Sequence, residues 1–276
     1  MPSVTSSLIY LVYSNPAKQQ ALETAIASEQ LPVTIMLMDV DSDDSVARAI
    51  GAIQRDHGPI DVLVNNAGIE HTGSVEEIPL ADFRRVMETN YFGALRAIQA
   101  VVPGMRERRG GCIINVAPVA GKIASSPFGP YTASKFALEA VSEVLAQEMA
   151  AFDVRVAIVE PGIIDTPMAR RLEEDGAPSR YPQSERFAAL FTASLEQPVP
   201  PAMVAAKMLE IAESGTRQLR HPVGPDTEPF LRWRAAMPDE EWVALGATVD
   251  DEVWYERIER DFGHNARPRA QRVGTA

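Results

Sequence analysis

The chain has 276 residues, 38 of them acidic and 26 basic, for a formal net charge of −12, so a nucleic acid or an anionic membrane surface would be repelled. Its single cysteine excludes an internal disulfide, and the apolar run at 8–12 is too short and lacks the basic flank of a signal sequence. No later stretch approaches membrane-spanning length, and one cytoplasmic domain over 1–276 is expected.

Apolar runs alternate with helical periodicity, the rhythm of an α/β fold with a mostly parallel sheet of about six strands covered by helices on both faces. Strands are predicted at 8–13, 33–38, 62–65, 112–116, 154–159 and 219–223. After the first, Ser14 or Asn15 caps a helix opening at Pro16, with Lys18 in its first turn. An ordinary cap is favoured there over a phosphate site, because Pro16 lacks an N–H and no glycine precedes Gly51. Asp41-Ser42-Asp43-Asp44 opens a helix carrying Val46, Ile50 and Ile53, ended by Gly58-Pro59. Residues 80–108, broken near Asn90, and 130–150 are the long central helices, the second with Phe136, Ala140, Val144 and Leu145 as its core face. Between them, Cys112 reads as a buried strand thiol. The polar stretch 172–185 is either a substrate lid or a surface insertion. Residues 225–276 form a helical C-terminal extension with Trp242, Trp254 and Tyr255 as packing anchors, and the tail 266–276 is expected to fray.

The chemistry centres on Tyr131-Thr132-Ala133-Ser134-Lys135. Tyrosine and lysine four apart share a helical face, so the ammonium can sit by the phenol and lower its pKa from the ordinary value of about 10. No His/Cys/carboxylate spacing points to a metal.

Asn65-Asn66-Ala67-Gly68 after a strand, Tyr131 to Lys135 on a helix, and Pro161-Gly162-Ile163-Ile164-Asp165-Thr166 after the next strand occur in that order. Together, over roughly residues 8–224, they resemble the short-chain dehydrogenase/reductase family. The resemblance implies a Rossmann-like three-layer sandwich that binds ligands outside the carboxyl ends of its strands. It implies Tyr131 as proton donor, Lys135 as its activator, and Asn90 as the residue that positions a water beside the lysine. It also implies Asp39 beside an adenine and Thr166 beside a nicotinamide amide, although a strand-end cap and an N-cap before Pro167 explain those two residues equally well. In the family the two long central helices, here 91–108 and 132–150, form the dimer face, so a homodimer or a heteromer with a related protein is expected.

Two departures from the family pattern shape the functional expectation. The family serine falls in an Asn-x-Ser-Ser-x-Ala-Gly stretch, which here reads Asn115-Val116-Ala117-Pro118-Val119-Ala120-Gly121. Pro118 takes the place of the hydroxyl and has no N–H to offer instead. The segment 8–23 resembles the family's second strand and helix, so the first strand-helix unit and its glycine-rich loop are missing. Strand 8–13 is then expected at the sheet centre, between 33–38 and 62–65, in the order 2-1-3-4-5-6. The resulting expectation is a cofactor-independent, non-redox enzyme of cyclase, isomerase or lyase type acting on an apolar small molecule. Tyr131 would be its acid/base, aided by Lys135 and Asn90, with His71, Pro118, Val119, Ile123, Ile163 and Met168 lining the pocket. The alternatives are an oxidoreductase using NAD or NADP in a degenerate site, and a non-catalytic subunit of an intact relative.

Overall fold

Strand and helix alternate through the computed structural model, which describes residues 9–13, 19–174 and 179–267. In chain order these are β1 (Ile9–Tyr13), α1 (Gln19–Glu29), β2 (Val33–Leu37), α2 (Asp43–His57), β3 (Val62–Asn65), α3 (Leu80–Met87) and α4 (Gly93–Arg108). Next come β4 (Gly111–Val116), α5 (Gly129–Ala150), β5 (Val154–Pro161), α6 (Pro167–Glu174), α7 (Gln183–Ser194), α8 (Pro201–Ser214) and β6 (Arg220–Val223). The chain closes with α9 (Thr227–Ala236), α10 (Asp239–Gly246) and α11 (Asp251–Phe262). The six predicted strands and the long helices therefore form where expected, to within a residue or two at most ends. The turn at Ser14, Asn15, Pro16 and Lys18 lies outside the described residues.

Local chemistry explains the boundaries. Ser42 accepts a hydrogen bond from the Ser45 N–H, with Asp43 and Asp44 in the first turn of α2, so hydroxyl and carboxylates meet the positive end of the helix. A π-helical turn, Glu88–Phe92, separates α3 from α4 at the predicted break, and such turns recur at functional sites. Just beyond it, a side chain on Gly93 would come within 3.0 Å of Val40, so glycine lets α4 pass close to the loop after β2.

Four strands form one parallel sheet in the order β3-β4-β5-β6, with every residue of β4 and β5 buried, as strands covered on both faces should be. Cys112 is buried in β4, where burial pushes its thiol pKa up. The expected central place for β1 is not observed. β1 pairs with β2 alone, from Ile9 opposite Val33 to Tyr13 opposite Leu37, in a separate two-stranded sheet. Among the described residues no ladder joins β1 to β3, and Val62 and Val64 of β3 are 36% and 40% exposed. The physical reason lies in the helices. Met36 of β2 and Leu63 of β3 pack on one core built from Val46, Ala49 and Ile50 of α2 and Ala97, Val101 and Met105 of α4. The two sheets are thus held by shared helices, without backbone pairing between them.

Helix α5 also departs from expectation. Phe136, Ala140 and Val144 face outward, whereas Leu138, Ser142, Leu145 and Met149 are buried. Small hydroxyl residues take the inner face because buried amides bind them: Asn115 Nδ2 donates to Ser142 Oγ at 2.8 Å and Asn90 Nδ2 to Ser134 Oγ at 2.9 Å.

The C-terminal helices pack on the domain. Trp242 stacks edge-on with Trp233 and donates its indole N–H to the Ala124 carbonyl at 3.0 Å. Trp254 and Tyr255 join Ala193, Ile258 and Ala266 in one apolar cluster. The first tail residue, Ala266, is therefore buried rather than frayed, and 268–276 lie outside the described residues. Among the described residues no helix is long and apolar enough to cross a membrane.

Candidate active site

The π-helical turn carries Asn90 inward, where it is 1% exposed. Its Oδ1 accepts from the Ile69 N–H at 2.8 Å and its Nδ2 donates to the Ile69 carbonyl at 2.9 Å. One amide thus clamps both the N–H and the carbonyl of Ile69, in the loop that follows Asn65-Asn66-Ala67-Gly68. Lys135, one helical turn past Tyr131 on α5, is buried and donates Nζ to the Val116 carbonyl at 2.9 Å. A methyl group on Gly68 would lie 3.4 Å from Asn90 Oδ1 and 3.6 Å from Lys135 Nζ. Asn90, Lys135 and the Gly68 backbone therefore converge at the carboxyl ends of β3 and β4. An ammonium has three donors, and Val116 engages one, which leaves Lys135 able to bind a ligand hydroxyl.

Tyr131 completes the group. Lys135 Nζ lies 5.6 Å from its ring centroid, and Phe128 stacks on the same ring at 4.5 Å. The electrostatics reverse the expected direction for the phenol. Burial, and then the Glu70 carboxylate, raise its pKa above the ordinary tyrosine value, while burial lowers the Lys135 ammonium to about 8. Desolvation outweighs the help of an ammonium that sits over the ring. Tyr131 is therefore a protonated phenol at neutral pH.

Met168 and Leu172 of α6, Phe187 and Phe191 of α7, and Ala120 pack around Phe128 and Tyr131. The stretch read as a lid or an insertion thus lies between two helices that cover the tyrosine, its residues 175–178 outside the described set. His71 lines a cavity of about 300 Å3 with Thr72, Ile78, Pro127, Leu172 and Phe187, alongside that cover. Ile123 does not join it. It lines a separate cavity of about 470 Å3 with Lys122, Leu231 and Met237. Pro118 and Val119 shape the loop after β4: Pro118 precedes a 3-10 turn, Val119–Gly121, in which the Val119 carbonyl accepts from the Lys122 and Ile123 N–H groups. The Ile163 N–H is held by Asp226 Oδ2 at 2.7 Å. A Cβ on Gly162 would meet the Asp226 carboxylate at 2.1 Å, so only glycine fits there. Thr166 Oγ1 accepts from the Ala169 N–H at 3.2 Å as the cap of α6.

Sequence reasoning passed over several participants. Ser134 stands inside the Tyr131 to Lys135 motif, so its position was the available signal. Phe128, Leu172 and Phe187 meet only through tertiary packing. Asp226 and Glu70 carry no local signature, since each acts on a segment far from it in sequence.

Comparison with known proteins identifies the arrangement. The family model described as short chain dehydrogenase matches residues 6–177. Retinol dehydrogenase 8 of Bos taurus is 34% identical over 233 residues, which cover 80% of this chain and 74% of that protein. The 3-ketodihydrosphingosine reductase of Bacteroides thetaiotaomicron is 32% identical over 217 residues, 75% of this chain and 79% of that one. A gluconate 5-dehydrogenase from Burkholderia cenocepacia J2315, solved in complex with NADP and tartrate, shares the fold with a TM-score of 0.68. That match has 22% identity and covers 80% of this chain and 86% of that one. These findings correct two expectations. Relatives named as a dehydrogenase and a reductase overturn the reading as a cofactor-independent cyclase, isomerase or lyase, and they point to a nicotinamide cofactor where none was expected. With motif order, parallel sheet and sequence similarity in agreement, the chain belongs to the short-chain dehydrogenase/reductase family.

Proposed function

We propose that this protein is a nicotinamide-dependent oxidoreductase that interconverts an apolar alcohol and the corresponding carbonyl compound, with Tyr131 as the proton donor in the reducing direction. The observation that carries the reading is the convergence of Asn90, Lys135 and the Gly68 backbone beside a protonated tyrosine walled by Phe128, Leu172 and Met168. NAD or NADP supplies or accepts the hydride when bound. Lys135 has donors left for a ribose hydroxyl, and the Thr166 hydroxyl stands at the cap of α6, in the segment that follows β5, so the donor set suits the nicotinamide half. The stretch 14–18 that leads into α1 contains no glycine, which supports a weaker grip on a pyrophosphate at that point. Pro118 supports the loss of the serine hydroxyl, which leaves Tyr131 to polarise the carbonyl alone.

Apolar walls around Tyr131 favour an aliphatic or polyene substrate over a sugar. Exposed Phe92, at the end of the π-helical turn before α4, and exposed Phe136 and Val144 on α5 support pairing through these helices, in a homodimer or with a related protein. The decisive experiment is titration of the purified protein with NADPH and NADH, followed by reduction of all-trans-retinal under the preferred nucleotide. Micromolar nucleotide binding with turnover is expected; absence of both would sink the proposal.

A further inference from the structure

The helices that cover Tyr131 are fastened by acidic residues of a single loop. Arg171 of α6 donates Nη2 and Nε to Glu70 Oε1 at 2.8 and 3.2 Å. On the far side of residues 175–178, Ser179 Oγ donates to Glu77 Oε2 at 2.8 Å, the Arg180 N–H donates to Glu77 Oε1 at 3.1 Å, and the Tyr181 hydroxyl donates to Glu76. Glu70 follows Ile69, whose N–H and carbonyl are both clamped by Asn90, so its carboxylate is presented from a fixed backbone. Arg171 immediately precedes Leu172, which is 3% exposed and packs on Phe128 and Tyr131. A continuous path therefore runs from Asn90 through Ile69, Glu70 and Arg171 to the side chain that seals the tyrosine.

Resting on the oxidoreductase reading, we propose that Glu70 is a positioning residue: its ion pair with Arg171 latches α6 over Tyr131 and thereby sets how readily an apolar substrate reaches the phenol. The pair is asymmetric, with Glu70 10% and Arg171 57% exposed. The carboxylate is thus fixed in the protein while the guanidinium can swing to solvent, which suits a fastening that opens and re-forms. Charged groups around the tyrosine are Glu70 from the β3 loop, Arg171 from α6 through that carboxylate, and Lys135 from α5.

The test compares wild type, Glu70→Gln, Arg171→Met and the reversed pair Glu70→Arg/Arg171→Glu. Amide exchange across 167–174 should quicken about two- to fivefold in the single variants, the range expected of a part-exposed ion pair, with β4 and β5 unchanged. Exchange should return toward wild type in the reversed pair. With all-trans-retinal and NADPH, KM should move by a similar factor while kcat does not fall. Unchanged exchange in both single variants, or a reversed pair as fast as they are, overturns the latch. Absence of retinal turnover in wild type counts against the redox reading alone, because exchange decides the latch without catalysis.

Discussion

Because burial raises the Tyr131 hydroxyl and lowers the Lys135 ammonium, the two residues titrate further apart than a free phenol and a free ammonium would. Tyr131 holds its proton across the neutral range, as a general acid in carbonyl reduction must. Lys135 is the group whose charge changes near working pH. It is cationic below about 8 and becomes neutral as pH rises through that value, losing the positive charge that favours proton release from the phenol. The rate of carbonyl reduction is therefore expected to fall on an alkaline limb near pH 8, with Tyr131→Phe slower by about 10²- to 10⁴-fold and nucleotide binding retained. Steady-state kinetics across pH with NADPH and retinal checks both. A rate that stays level well above pH 8 would remove Lys135 from the step, and an active phenylalanine variant would remove Tyr131. The approach of Lys135 to Tyr131 was legible because the motif fixes their spacing, and Asn90 stood out through the family resemblance of its own stretch. The direction of the phenol shift was not, since it depends on burial under α6 and α7, which no spacing along α5 encodes.

Among the elements, α5, β5 and β6 share a charged cluster behind the site. Arg220 of β6 lies 2.8 Å from Glu139 of α5 and 3.6 Å from Glu160 of β5, and it also contacts Glu143, while Lys122 approaches Glu139 at 3.5 Å. Oε1 of Glu139 and Oε1 of Glu160 are buried without a hydrogen-bond partner. Burial, then the neighbouring Glu139 charge, pushes Glu160 up to about 7 from its ordinary 4.5. Between these values the folded state binds the proton that the unfolded chain releases. Stability must therefore fall as pH rises through that window and level off above about 7. The drop is on the order of 1–3 kcal/mol, with Arg220 moderating it. Chemical denaturation from pH 5 to 8 should show this slope in wild type and a flatter one in Glu160→Gln; equal slopes would remove Glu160 as the source. The sequence placed these elements well but misassigned the inner face of α5. Apolar spacing selected Phe136 and Val144, whereas the inner face is set by Ser134 and Ser142, whose hydroxyls satisfy Asn90 and Asn115. Buried polar pairing leaves no hydrophobic period to read.

At the scale of the whole molecule, motif order along the chain was enough to fix fold class and family, because parallel strands with intervening helices admit few topologies. It was not enough to fix the sheet. Apolar strands read alike whether or not a neighbour pairs with them, and the break between β1 and β3 emerged only from the ladders. That break has an energetic consequence. β4 and β5 are buried throughout and paired on both edges, whereas β1 and β2 have five pairs with one another. A two-stranded sheet is marginal in water by itself. This one depends on Met36 and Met38 reaching the core formed with α2 and α4. The β1–α1–β2 unit should then open below the global unfolding free energy, and its amides should exchange well before those of β4 and β5. Native-state exchange followed by mass spectrometry resolves the two sheets. Met38→Ala should quicken exchange in β2 more than in β5, since it loosens the shared core on the side of the smaller sheet. Protection in β1 and β2 equal to that in β4 would mean that the two sheets open as one unit, and the independence inferred from the broken ladder would fail.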